Sequence, residues 1–198
     1  MKKILLVEGN LKEANQEFTE NGIKTHTESL QESISYYTNN LEIDSVNPSS
    51  DKDIFDKVKD LNKYEGLIWG GSSLNIYSDT KEIRKQIEFM KECQKRIKNI
   101  LAICWGMQVA VTAAGGVVNR GKNGAHRGIA HGIVINQDGL NHPIYKDKDK
   151  IFNTPAFNYD EVVTLPKNAI LLSSNKVNNV MALNFETEFS KIWGIQYH

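Results

Sequence analysis

Short continuous apolar runs alternate along this chain with longer stretches whose apolar positions recur at helical spacing, the pattern of buried strands joined by helices. The first run is Ile4-Leu5-Leu6-Val7, ending before Gly9-Asn10. From Leu11 to about Asn40 two weak helical patterns are broken at Asn21-Gly22. The second carries Leu30, Ile34 and Tyr37 at helical spacing, and the first reads either as a helix or as a surface loop. Leu41–Val46 alternates apolar and polar and stops at Asn47-Pro48, which predicts a second strand. A charged helix is predicted over Asp51–Asn62, with Ile54, Phe55, Val58 and Leu61 facing inward, and a strand over Tyr64–Trp69. Asp79, with Glu82 three residues on, predicts the cap of a helix whose inner face is Ile83, Ile87, Met90 and Ile97 and which Asn99 closes. The next strand ends at Ile103, and a helix of small residues over Met107–Ala114 is ended by Gly115-Gly116. Three short runs, Ala169–Ser173, Val180–Phe185 and Ile192–Tyr197, predict an antiparallel extension of the sheet. The fold class is α/β, begun by a βαβ wind.

Composition narrows the partners more than the fold. Lys and Arg number 24 against 24 Asp and Glu, so the chain offers no electrostatic footprint for nucleic acid or for an anionic membrane, and small metabolites fit better. At 198 residues with 40% apolar content, residues 1–198 are expected to form one domain with its own core. Two cysteines make no disulfide framework, the N-terminal apolar run is too short for a signal peptide, and the expectation is a reducing, cytoplasmic compartment. No run approaches the roughly 20 apolar residues of a membrane span.

The candidate chemistry centres on Cys104, where an apolar strand gives way to a helix. Ala102 and Gly106 flank it two residues away on either side, as a sharp strand-to-helix elbow requires. Such a turn lifts the thiol to the N-terminus of the next helix, where free N–H groups and the macrodipole are expected to lower its pKa toward neutrality. Cys93 falls inside a predicted helix and is expected to be inert. Gly70-Gly71-Ser72-Ser73, just past a buried strand, reads either as an ordinary glycine turn or as a loop turning backbone N–H groups into a ligand crevice. Gln108 either caps its helix or reads a ligand amide or carboxylate beside the thiol. His126, His131 and His142 have no compact ligand spacing, so no metal site is expected. The final strand delivers His198 at its end.

Together these residues resemble the class I glutamine amidotransferases, whose elbow has the form Gly-x-Cys-x-Gly-x-Gln and whose last strand ends Gly-Val-Gln-Phe-His-Pro-Glu. Here they stand as Ala102-Ile103-Cys104-Trp105-Gly106-Met107-Gln108 and Gly194-Ile195-Gln196-Tyr197-His198. Gly70 to Tyr77 is similar to stand-alone members resembling the amidotransferase part of GMP synthase. The resemblance implies a flavodoxin-like, doubly wound, mostly parallel sheet with helices on both faces. It also implies Cys104 as nucleophile, His198 as base and then acid, an oxyanion hole from the backbone of Gly71 and Trp105, and substrate contacts at Gly71, Gln108, Asn158 and Tyr159. No cofactor is implied. The substrate would be glutamine or a γ-glutamyl amide, and a partner synthetase would accept the ammonia, since no phosphate-binding loop is present for this chain to activate an acceptor itself. A free-standing γ-glutamyl amide hydrolase and a catalytically silent ligand-binding module on the same fold are the alternatives. Departures are Ala102 for the first elbow glycine, Ala125-His126-Arg127-Gly128 for Arg-Glu-x-Gly, and Asn158 for the His two residues before Asp160. In the family a Pro and the triad Glu come after the His, and the chain is expected to run on past His198 to supply them.

Overall fold

A computed structural model describes the backbone of residues 1–198 and every side chain except those of Lys57 and Val58. The strands are β1 (Lys2–Val7), β2 (Leu41–Val46), β3 (Gly66–Trp69), β4 (Asn99–Ile103), β5 (Val117–Arg120), β6 (His126–Ile135), β7 (Ile151–Asn158), β8 (Asp160–Thr164), β9 (Ile170–Ser174), β10 (Ala182–Glu186) and β11 (Lys191–Ile195). Nine form one sheet in the order β2-β1-β3-β4-β11-β10-β9-β6-β7, and β5 pairs with β8 in a ribbon. Strands β2, β1, β3, β4 and β11 run parallel, whereas β10, β9, β6 and β7 continue the sheet antiparallel. Leu5, Leu6 and Val7 are buried in succession, which requires cover on both faces of β1.

The helices are α1 (Lys12–Glu20), α2 (His26–Tyr37), α3 (Lys81–Arg96), α4 (Trp105–Ala113) and the single-turn α5 (Gln137–Leu140). Both halves of the weak pattern before Asn40 are helical, separated at Gly22 with φ 69°. Neither α1 nor α2 buries a residue fully, which is why their periodicity is faint. Helix α4 buries seven residues from Trp105 to Val111.

Three local expectations are corrected. Residues 51–62 form no α-helix but turns and a 3-10 segment over Asp56–Lys63. Asp51, Asp53, Asp56, Asp60 and Asn62 put side chains that compete for the backbone throughout the stretch. Ile54 and Leu61 are buried there, but Phe55 is 44% exposed with its edge toward Phe89, and the Val58 side chain lies outside the described residues. The cap of α3 is Thr80, whose hydroxyl accepts from Ile83 N–H, while Asp79 adopts a left-handed φ of 49° and pairs with Arg84. Asn99 opens β4 rather than closing α3, which ends at Arg96. Ile83, Met90 and Ile97 are buried as the spacing predicts, and Ile87 is half-buried. Among the described residues, no helix is long and apolar enough to cross a membrane.

Candidate active site

Four neighbouring parallel strands, β1, β3, β4 and β11, end at one edge of the sheet, and the segments leaving their carboxyl ends form a crevice of about 700 Å³. Its lining includes Gly71, Cys104, Gln108, Asn158, Tyr159 and His198, and also Asn10, Phe18, His26, Phe157 and Asp160, which sequence reasoning did not assign.

The elbow is sterically enforced. Cys104 has φ 53° and ψ −105°, a conformation that costs a non-glycine residue on the order of 1–3 kcal/mol and persists only where its surroundings hold it. Ala102 keeps the negative φ of a strand residue, so the alanine in place of glycine strains nothing. Gly106 has no such freedom: a Cβ there would stand 2.4 Å from the Trp69 carbonyl oxygen. That approach lets Gly106 N–H donate to the Gly70 carbonyl at 3.1 Å, tying the elbow to the Gly70-Gly71 turn. The Gly71 and Trp105 N–H groups have no backbone carbonyl partner among the described residues, and the Trp105 N–H faces the Cys104 thiol itself.

The thiol sits in a drier place than its helix N-terminus suggests. Cys104 is 4% exposed, and burial pushes it up to about 11, opposing the pull of the Trp105 N–H and the Gln196 amide. The expected shift toward neutrality is therefore reversed, because desolvation of a thiolate outweighs the dipole and two donors. Its hydrogen bonds run from Gln196 Nε2 at 3.4 Å and to the Phe157 carbonyl at 3.9 Å, not to His198. Gln108 donates to Gln196 Oε1 at 3.3 Å, so it braces the thiol's partner instead of capping α4.

His198 hangs from β7: its N–H donates to the Pro155 carbonyl at 2.8 Å, and Thr154 holds its carbonyl at 3.0 Å. Burial and the neighbouring His26 lower its pKa below the ordinary imidazole range. His26, the first residue of α2, places Nδ1 2.7 Å from the Gly71 carbonyl and 3.6 Å from the buried Glu8 carboxylate.

The substrate-side residues are less uniform than expected. The Asn158 side chain is committed to protein, donating to the Asp160 carbonyl and to Asn178 while its Oδ1 meets His126 Nδ1 at 3.1 Å. Tyr159 is exposed between the guanidinium groups of Arg120 and Arg127, each about 5 Å from its ring. Asp160 accepts from Tyr77 at 3.0 Å, and burial holds its pKa above the usual carboxylate range. Among the described residues no three His, Cys, Asp or Glu side chains converge to hold a metal.

A family profile described as glutamine amidotransferase class-I matches residues 21–198. A γ-glutamyl-L-1-hydroxyisopropylamide hydrolase from a Pseudomonas species is 32% identical over 70% of this chain and 48% of its own length. Gamma-glutamyl peptidase 4 of Arabidopsis thaliana is 32% identical over 71% of this chain and 56% of its length. GMP synthase of Thermotoga maritima is 28% identical over 72% of this chain and 25% of its length. The chain thus spans about half the length, or less, of these curated relatives. The crystal structure of a glutamine amidotransferase from Thermotoga maritima superimposes with a TM-score of 0.69 at 16% identity, covering 100% of this chain and 75% of the other.

Proposed function

Since the chain belongs to the class-I glutamine amidotransferase family, we propose that it hydrolyses the side-chain amide bond of γ-glutamyl amides through a Cys104 thioester. The observation that carries this reading is the strained elbow, which sets Cys104 in the crevice with Gly71, where neither the Gly71 nor the Trp105 N–H is taken up by a backbone carbonyl among the described residues.

A thiol held up at about 11 and an imidazole held low are both neutral at rest. Proton transfer from Cys104 to His198 then accompanies attack on the amide carbonyl, once substrate draws the two together. The oxyanion falls between Gly71 and Trp105 N–H, donors worth ~10²–10³ in rate each. His198 passes its proton to the leaving amine, and water then releases glutamate. The reaction needs a free thiol, which a reducing cytoplasm would preserve.

Amides with a substituted nitrogen are favoured over glutamine alone, because the crevice is larger than one amino acid needs and two of the relatives are named for γ-glutamyl amide and peptide cleavage. Delivery of ammonia to a partner synthetase is a second reading, supported by the likeness to GMP synthase. The test is a panel of γ-glutamyl amides and free glutamine, with glutamate and amine both quantified. Substituted amides are expected to turn over at least as well as glutamine without any partner. Turnover of glutamine only, rising on addition of a synthetase, would reverse the order of the two readings, and no turnover of either would remove both.

A further inference from the structure

Glu8 and His26 form an ion pair against the back of the Gly70-Gly71 turn, and no step of the proposed hydrolysis uses it. Glu8 lies just past β1 and is buried. Its carboxylate accepts from Asn10 N–H at 3.1 Å, Thr27 N–H at 3.2 Å and Thr27 Oγ1 at 3.1 Å. Burial opposes the Glu8 charge, yet His26 Nδ1 at 3.6 Å, together with the Asn10 and Thr27 donors, keeps the carboxyl below its ordinary pKa. A cation in the first turn of a helix runs against the macrodipole, so α2 alone would not choose it. The same Nδ1 lies 2.7 Å from the Gly71 carbonyl, which can only accept, so Nδ1 carries the hydrogen. A Cβ built on Gly71 would meet His26 Cε1 at 3.3 Å and His198 Cε1 at 3.2 Å, so the two imidazoles flank the glycine of the oxyanion turn.

We propose that His26 is a positioning residue for the reaction: its Nδ1–H pins the Gly71 carbonyl and so the turn that presents the oxyanion donor, and its positive charge, held by Glu8, disfavours a second positive charge on His198. This rests on Gly71 as oxyanion donor and His198 as base in the proposed hydrolysis. The groups facing His26 are Glu8 after β1, His198 after β11, the Gly71 carbonyl after β3 and the Phe18 ring of α1, in edge contact at 6.0 Å. Burial opposes the His26 cation, yet Glu8 and the Gly71 carbonyl keep its pKa above the ordinary imidazole value. For His198 the directions agree, burial and His26 both lowering it. A fixed positive charge behind Gly71 also favours the negative charge that develops in front of it.

The test uses the full chain carrying His26→Gln, which keeps an amide donor without the charge, and Glu8→Gln, which keeps the shape of the acid without its charge. Two measurements are made: the pH profile of kcat/KM on a γ-glutamyl amide, and the NMR titration of the His198 imidazole. With His26→Gln the His198 midpoint and the acid limb of kcat/KM both move to higher pH, and the rate above that limb falls by less than the ~10²–10³ of losing an oxyanion donor, in kcat more than in KM. Glu8→Gln lowers the His26 midpoint and raises that of His198. A merely structural role would reduce the amount of active protein without moving either midpoint. An unchanged His198 midpoint in whichever variant folds overturns the proposal. If the wild type cleaves no γ-glutamyl amide, the functional reading fails, while the titration still decides the coupling of the two histidines.

Discussion

At the scale of single residues, the elbow was legible in the sequence because its demand is steric: an apolar run, one cysteine and glycine two residues on leave few other geometries. The electrostatics of the same cysteine were not, because burial depends on Gln196 and Phe157 closing over it from distant segments. That dryness bears on both activity and reactivity. Cys104→Ser is expected to abolish hydrolysis with the unfolding transition preserved, and equal activity in purified mutant would remove the nucleophile. Alkylation by iodoacetamide should be slow near neutrality and climb with pH toward about 11 at Cys104, the thiol that lines the crevice. Cys93, 0% exposed on the buried face of α3 and also raised by burial, should label later still, as peptide mass mapping would show. The Glu8–His26 pair was hidden because its partners are linked through no local pattern, although a Glu directly past a buried strand at the ligand edge is a signal of its own. Its effect on stability has a defined window. Glu8 is lowered in the fold, so its contribution is full above the ordinary 4.5 and is lost as pH falls; His26 is raised, so its contribution is full below the ordinary 6.5 and is lost as pH rises. The urea-midpoint difference between wild type and His26→Gln should therefore be largest between those values and shrink on either side.

At the scale of elements, legibility tracked burial. Strands β1, β3 and β4 stand out as apolar runs because they lie inside a parallel sheet, whereas β6 and β7 alternate buried with exposed positions and slip register between Ala130 and Ile133. The glycines that hid β6 belong to its geometry: Gly128 and Gly132 have φ 135° and 62°. Residues 51–62 misled because apolar spacing suggested a helix that their Asp and Asn content does not sustain. The junction of β3, the Gly70-Gly71 turn and α4 shows what one atom contributes. Gly106→Ala would drive a methyl to 2.4 Å from the Trp69 carbonyl and displace the bond from Gly106 N–H to Gly70. The expected cost is about 1–3 kcal/mol in urea unfolding, as for overpacking, with kcat falling more steeply than stability because the Gly70-Gly71 turn, the proposed source of an oxyanion donor, moves. A variant with wild-type kcat would mean the turn is held independently of the elbow.

At the scale of the whole molecule, the crevice exists because β11 returns to the parallel half. The meander through β9 and β10 brings the chain back beside β4 in parallel register, with Ile195 opposite Ile103, so Gln196 and His198 emerge next to Cys104. The α/β wind was readable, but this insertion was not, since three short strands look alike whether they extend a sheet or complete its centre. Tyr197 shows how the antiparallel half steadies the site. It lies between the thiol's partner and His198, belongs to the smaller core with Phe152 and Tyr145, and donates to Tyr145 Oη at 3.0 Å, which meets Ser173 at 2.7 Å. Tyr197→Phe removes one hydrogen bond but leaves Tyr145 paired with Ser173, so a loss of about 0.5–1.5 kcal/mol and nearly unchanged kcat/KM are expected. Tyr197→Ala empties the ring's place and should cost about 3–5 kcal/mol, the usual range for losing a buried aromatic ring. Activity should fall with it even where the protein stays folded, because the segment that carries Gln196 and His198 loses its anchor. If the alanine variant, measured well below its melting temperature, keeps wild-type kcat/KM, then the bond His198 N–H donates to the Pro155 carbonyl and the one its carbonyl accepts from the Thr154 hydroxyl suffice to hold the imidazole in place.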